Sequence, residues 1–209
     1  MRRVVLPRDQ EKSRFTSILE QVIKTTPGAE AAALVDDEGE TVDYAGRIDT
    51  YELKVTAAHW LIVLSDIARR PSFGRVHQIT VRARSRSYHV RQVHPGYAVV
   101  VVLHRHAAFA ISERALKQCD ADLAHEAGWP RPREDTRWCF VHVEAAREDR
   151  TRPVRVRVAG KWLPVEVLGC MVGLRTGEKG FRVRMPNGHE TTLVRERLGR
   201  WFADERVFE

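Results

Sequence analysis

Several side chains in this 209-residue sequence are of types that do chemistry, and the spacing that chemistry demands decides what each can do. His104-Arg105-His106 places two imidazoles on the same side of a strand end. That is a start on a metal site, but zinc asks for three or four protein ligands and no third stands nearby in the sequence. Cys119, Cys139 and Cys170 lie far apart, with no Cys-x-x-Cys pair. Their odd number argues against a disulfide framework, so they are read as reduced structural thiols, Cys119 facing a core rather than serving as a nucleophile. Asp36-Asp37-Glu38-Gly39-Glu40 is acidic. It lacks the alternating oxygen ligands and closing glutamate of a calcium loop and reads as a solvated turn. Gly169-Cys170-Met171-Val172-Gly173 lacks the lysine and following helix of a phosphate loop. Neither a Gly-x-Ser-x-Gly elbow nor a His-Glu-x-x-His helix occurs. The expectation is therefore a non-enzymatic protein with no catalytic residue, cofactor or metal.

The arginines point to binding. The formal net charge is +7. Residues 1–128 carry 18 Lys/Arg against 16 Asp/Glu, whereas residues 129–209 carry 17 against 12, so the second part is the more basic. No acid occurs between Asp66 and Glu113, a stretch holding Arg82, Arg84, Arg86 and Arg91. These four are candidates for acidic protein, nucleotide phosphate or anionic lipid, set against the plainer reading of a solvated sheet face. Farther on, Arg155, Arg157, Arg182 and Arg184 alternate with apolar residues and are expected to share a basic face with Trp162 and Trp201 near it. Arginine beside an aromatic ring suits stacked bases or acidic peptides.

The elements that must position these groups are organised around Tyr97–Leu103, which contains four consecutive valines. β-Branched residues favour an extended backbone, and a run without polar alternation predicts a strand covered on both faces. Around it, residues 9–26 carry an amphipathic helical stripe (Phe15, Ile18, Leu19, Val22, Ile23) ended by Pro27-Gly28. Residues 31–35 and 41–45 form a hairpin over the acidic turn. Asp49 and Glu52 resemble a capping box at the head of a long helix over 49–70. Strands over 76–84 and 88–94 precede the central one, and a helix over 109–127 follows it.

The long helix is apolar most of the way round. Leu53, Ala57, Trp60, Leu61, Leu64 and Ile67 make one stripe, and Val55, Ala58, Ile62 and Val63 cover much of the rest. One sheet face cannot bury both, which predicts a second copy against it. Residues 129–137 are proline-rich and charged, a linker. Beyond it, strands over 138–144, 154–158, 162–168, 181–185 and 190–194, separated by glycine turns, predict a small SH3-like or Tudor-like β-barrel, with residues 198–206 as a helical turn that plugs it. The domains are thus 1–128 and 138–209. No apolar run approaches the ~18 residues a membrane helix needs, and Met-Arg-Arg-Val-Val-Leu-Pro is too short in apolar residues for a secretory signal, so the cytoplasm is expected.

The segments Ile18-Leu19-Glu20 to Pro27-Gly28, Ala32-Ala33-Leu34-Val35-Asp36-Asp37-Glu38-Gly39 and Gly96-Tyr97-Ala98-Val99-Val100-Val101-Val102-Leu103 resemble the roadblock/dynein light chain family over residues 9–128. The resemblance implies an α+β fold, a five-stranded antiparallel sheet between helices, with the first and third helices on one face and the long helix on the other. It implies pairing of two copies, or of two different roadblock chains, through residues 49–70 and 76–84, with Leu53, Val55, Ala57, Trp60, Leu61, Leu64, Ile79 and Val81 at the interface. It also implies a regulator that binds a small Ras-like GTPase, with the barrel as an added docking module. The alternative is a nucleic-acid-binding protein that uses the basic barrel and the arginine-rich sheet face.

Overall fold

The computed structural model describes residues 8–73, 76–108, 111–130, 138–172, 174 and 176–204. It divides into two compact units, Met1–Ile111 with Cys119–Pro132 and Ser112–Gln118 with Arg133–Glu209. In chain order the first part contains α1 (Arg14–Thr25), β1 (Ala29–Asp36), β2 (Thr41–Gly46), α2 (Thr50–Ala68), β3 (Gln78–Arg82), β4 (Arg86–His94), β5 (Tyr97–His104) and α3 (Glu113–Glu126). The fold is α+β. The helical start expected at Phe109 and residues 131–137 of the linker lie outside the described residues.

The valine run becomes the middle strand of the sheet, whose order is β2-β1-β5-β4-β3, every pair antiparallel. A strand's side chains alternate between faces, so the four valines split two and two. Val100 and Val102 join Leu53, Ala57, Leu61 and Leu64 of α2 in one core. Val99 and Val101 join Leu19 and Val22 of α1 and Cys119 and Leu123 of α3 in the other. All four valines are 0–1 % exposed. Full burial of such a side chain contributes roughly 1.5–3 kcal/mol, so this strand anchors two hydrophobic layers at once.

Local chemistry sets the ends of the helices. Ser13 caps α1, its hydroxyl accepting from the Thr16 amide while the Thr16 hydroxyl accepts from the Ser13 amide. Asp49 caps α2, its carboxylate accepting from the Glu52 amide at 3.0 Å. After α1 the chain turns at Gly28, where φ is +78° and a Cβ would sit 2.4 Å from that of Ala107.

The second unit is all-β beyond Gln118. Its strands are β6 (Trp138–Val141), β7 (Val143–Ala145), β8 (Pro153–Val158), β9 (Lys161–Pro164), β10 (Glu166–Cys170), β11 (Lys179–Arg184), β12 (Glu190–Arg195) and β13 (Trp201–Asp204). They form a five-stranded sheet, β10-β11-β12-β13-β6, and a three-stranded one, β7-β8-β9. Single residues, His142 and Val165, separate β6 from β7 and β9 from β10, so two bent strand runs serve both sheets. Val141, Val156, Phe181, Val183, Leu193 and Trp201 form their common core.

The expected helical turn over 198–206 is instead a turn and a strand as far as Asp204; Glu205 and Arg206 lie outside the described residues. Gly199, at φ +84°, closes the turn by donating to Glu196 O at 2.9 Å. β13 then pairs with both β12 and β6. Trp201, Phe202 and Ala203 are all buried, and bulky aromatics covered on both faces favour a strand over a one-turn helix.

Candidate interaction surfaces

The two faces of α2 divide differently from the sequence expectation. Leu53, Ala57, Leu61 and Leu64, expected at a dimer interface, are 0–8 % exposed and belong to the chain's own core. Trp60 packs on the same core and tilts against Tyr88, ring centres 5.1 Å apart, and Ile79 also packs there. The stripe that looked available for a partner is the one the sheet needs. Of the expected interface set, Val55 is exposed and Val81 half-buried. The apolar groups left outside on α2 are Tyr51, Val55, Ile62 and Val63, with Phe73 exposed just beyond the helix.

The meander arginines also separate. Arg86 is half-buried and ion-paired to Glu30 at 3.3 Å and to Glu52. Arg91 donates through Nε to Asp120 at 2.8 Å and through Nη1 to Gln78 at 2.5 Å. Both arginines brace the first unit internally, since a hydrogen bond between a guanidinium and a carboxylate is about twice as strong as a neutral one. Arg82 and Arg84 remain exposed.

In the second unit the four arginines do not share one face. Arg182 and Arg184 stand on β11 in the five-stranded sheet, held by Glu190 at 2.7 and 2.9 Å and, for Arg184, by Glu166 at 3.3 Å. Arg155 and Arg157 stand on β8 in the three-stranded sheet. Arg155 meets Glu144 at 3.6 Å, and Arg157 donates through Nε to the Gly160 carbonyl at 3.3 Å. Trp201 is in the core, whereas Trp162 is 46 % exposed and lies directly opposite Arg157.

The groups with reactive chemistry fall as follows. His104 and His106 have ring centres 5.7 Å apart, and no group of three His, Cys, Asp or Glu side chains suited to a metal occurs among the described residues. In the acidic turn, Asp36 Oδ1 accepts from the amides of Glu38 and Glu40 at 3.2 and 2.9 Å, spending its oxygen on the turn itself. Cys119 is buried, and burial pushes its thiol well above the ordinary value, which holds it protonated and unreactive. Cys139 is half-buried and Cys170 exposed. Gly169 lies in β10, and Gly173 is outside the described residues.

Two features escaped the sequence reading. Asp43, only 2 % exposed, accepts from Ser13 Oγ at 2.5 Å, Thr16 Oγ1 at 2.7 Å, the Tyr44 amide at 2.6 Å and the Arg8 guanidinium. Burial raises its pKa, but the bonds from Ser13, Thr16, the Tyr44 amide and Arg8 outweigh burial and hold the carboxyl below its ordinary value. A cleft of about 730 Å³ opens in the first unit, with Ile23, Ala29 and Ile48 as apolar lining and Glu20, Lys24 and Arg47 among its charged residues. No sequence period marks either feature, since both depend on strand pairing.

No protein-family model matches the chain. No curated protein matches it. Solved structures of Roadblock/LC7-type proteins match about half of it. A Roadblock/LC7 domain from Streptomyces avermitilis is 17 % identical, covering 54 % of this chain and 97 % of its own, with a TM-score of 0.47. Myxococcus xanthus MglB is 14 % identical over 57 % of this chain and 98 % of its own, TM-score 0.49. MglC from the same organism is 24 % identical over 55 % and 99 %, TM-score 0.41. No helix among the described residues is long and apolar enough to cross a membrane.

Proposed function

We propose that the chain is a non-enzymatic, cytoplasmic, homodimeric roadblock-type adaptor that binds a small Ras-like GTPase, with its C-terminal β unit as a docking module. The observation that carries the reading is α2. It packs on one sheet face, fills that core with Leu53, Ala57, Leu61 and Leu64, and still presents Tyr51, Val55, Ile62 and Val63 to solvent. Contiguous apolar groups left outside on a helix favour association. The GTPase half rests on the family resemblance of residues 9–128.

The test is substitution on the outer face of α2. Ile62→Glu places a charge where a second copy would dehydrate it, and the molar mass from light scattering should fall to that of one chain, 24.0 kDa. An unchanged dimer mass would remove this face from the interface. For the partner, a small GTPase retained by the full chain with a GTP analogue but not with GDP, or the reverse, supports the adaptor role, and retention of none under either nucleotide would refute it.

A further inference from the structure

Five tryptophans occur in the sequence, and the structure places four of them against partners. Trp60 tilts on Tyr88, Trp129 stacks on His94 at 4.6 Å and 15°, Arg114 lies 5.0 Å over Trp138, and Trp201 meets Phe181. Trp162 differs. It is 46 % exposed and has no ring or cation partner among the described residues.

Its surroundings follow from strand register. β8 and β9 are antiparallel, with Arg157 opposite Trp162 and Arg155 opposite Pro164. Directly opposed residues project to the same side of a sheet with Cβ atoms ~5 Å apart, and residues two apart on one strand return to that side after ~6.6 Å. Val156, between the two arginines, is fully buried, so the arginines point outward. The outer surface of this hairpin is therefore a small platform of Trp162 and Pro164 beside Arg157 and Arg155. Glu144 is the acid opposite Arg155, and it approaches no closer than 3.6 Å with both side chains more than half exposed. Such a pair is weak and readily exchanged. Arg157 has no carboxylate within ion-pair distance among the described residues; its Nε is used on the Gly160 carbonyl, which steadies the side chain and leaves the terminal amino groups free to donate.

We propose that the β8–β9 hairpin face is a binding platform for single-stranded nucleic acid, one base stacking on Trp162 while Arg157 and Arg155 meet successive backbone phosphates. An indole offers its flat face to any base, and arginine adds both charge and a stacking plane, so the pair binds without reading sequence. An acidic peptide would satisfy the arginines and gain little from the indole. A duplex hides its bases and offers nothing for Trp162 to stack on. The excess of basic over acidic residues in the second part of the chain, 17 against 12, supplies attraction of the right sign over a wider surface.

Fluorescence anisotropy of a labelled oligothymidylate with the full-length chain tests this. Binding at low salt is expected to exceed that of a duplex of the same length and of polyglutamate. Trp162→Ala should weaken it about five- to a hundredfold, and Trp162→Phe should recover most of the loss. Arg157→Gln should reduce the slope of log affinity against log salt by about 0.7, the increment for one phosphate on a single strand. Arg182→Gln, on the other sheet and held by Glu190, should leave the Trp162 dependence in place. These positions are solvent-exposed, and an unchanged circular dichroism melt confirms that the variants fold. No binding of the oligothymidylate at low salt, equal binding by Trp162→Ala, or tighter binding of polyglutamate with the same Trp162 dependence would each overturn the proposal.

Discussion

Asp43→Ala is expected to be among the most damaging single changes in the first unit outside the hydrophobic layers. The carboxylate is buried and receives Ser13 Oγ, Thr16 Oγ1, the Tyr44 amide and Arg8. Removing it leaves the hydroxyl of Thr16, which is 1 % exposed, without its acceptor and the part-buried Arg8 guanidinium without its carboxylate, and it takes the acceptor from Ser13, the cap of α1. Hydrogen bonds to a charged group contribute about 1.5–3 kcal/mol each, not additively, and breaking a buried ion pair from one side costs about 3–5 kcal/mol. A loss of about 3–5 kcal/mol is therefore expected, which at 2–4 °C per kcal/mol lowers the first melting transition by roughly 10 °C. Protonation should mimic the substitution. The folded carboxyl has a lowered pKa, so it binds fewer protons than the unfolded chain; its contribution is complete above the ordinary aspartate value and is lost as pH falls through the folded one. Urea unfolding followed by fluorescence, run from neutral pH down into the acid range, reads both effects, and Asp43→Asn should flatten the acid limb. A loss below about 1 kcal/mol, or an unchanged acid slope in Asp43→Asn, would refute the reasoning.

Two more changes probe the packing. Gly46→Ala puts a Cβ 2.4 Å from both the Ala31 Cα and the Glu30 carbonyl oxygen at a φ of +121°, so the β1–β2 ladder must shift; a loss of about 2 kcal/mol or more is expected in the same urea assay, and a neutral result would mean the turn relaxes freely. In a thiol-exchange assay on the native protein, Cys170 should react first and Cys119 only after denaturant is added, since the first is exposed and the second is buried with its thiol raised; fast reaction of Cys119 would show that α3 opens readily.

The core strand was legible because one residue type, repeated, admits one conformation: Val99 to Val102 are too β-branched for a helix and too apolar for an edge. The helices were legible for the same reason in the other period, with boundaries moved inward where Ser13 and Asp49 proved to be caps. What periodicity did not settle was which stripe of α2 faces inward. When apolar residues occur on most of a helix, the core-facing set is chosen by the register of the sheet beneath it, here Ala31, Ala33, Val100 and Val102, and that register is not encoded in the helix. For a related reason the arrangement of the arginines was not legible. Alternation puts a side chain on an outer face but does not say which residue lies across the strand, and Glu190 opposite Arg184 and Trp162 opposite Arg157 give two arginines opposite fates.

The Asp43 network also bears on how the first unit would assemble. A sheet has two edges, and each carries unpaired backbone groups that invite another strand. In β2 the outward amide of Tyr44 is taken by Asp43 Oδ1 at 2.6 Å and its carbonyl accepts from Arg8 Nη1 at 2.5 Å. Arg8 also lies 4.3 Å over the Tyr44 ring, and Asp9 accepts from the Tyr44 hydroxyl at 2.7 Å. A strand arriving at this edge must first displace Arg8 and strip a buried carboxylate of its donors, an exchange of charged hydrogen bonds for neutral ones. The opposite edge is β3, whose Ile79 packs on the α2 side of the sheet, the side on which Val55, Ile62 and Val63 stand unburied on the helix. Pairing at β3 would add backbone bonds while covering apolar surface; pairing at β2 would cost a buried charge. In the proposed dimer the residues that stabilise one edge would thus direct a second copy to the other, and Asp43→Ala should weaken that direction as well as the fold.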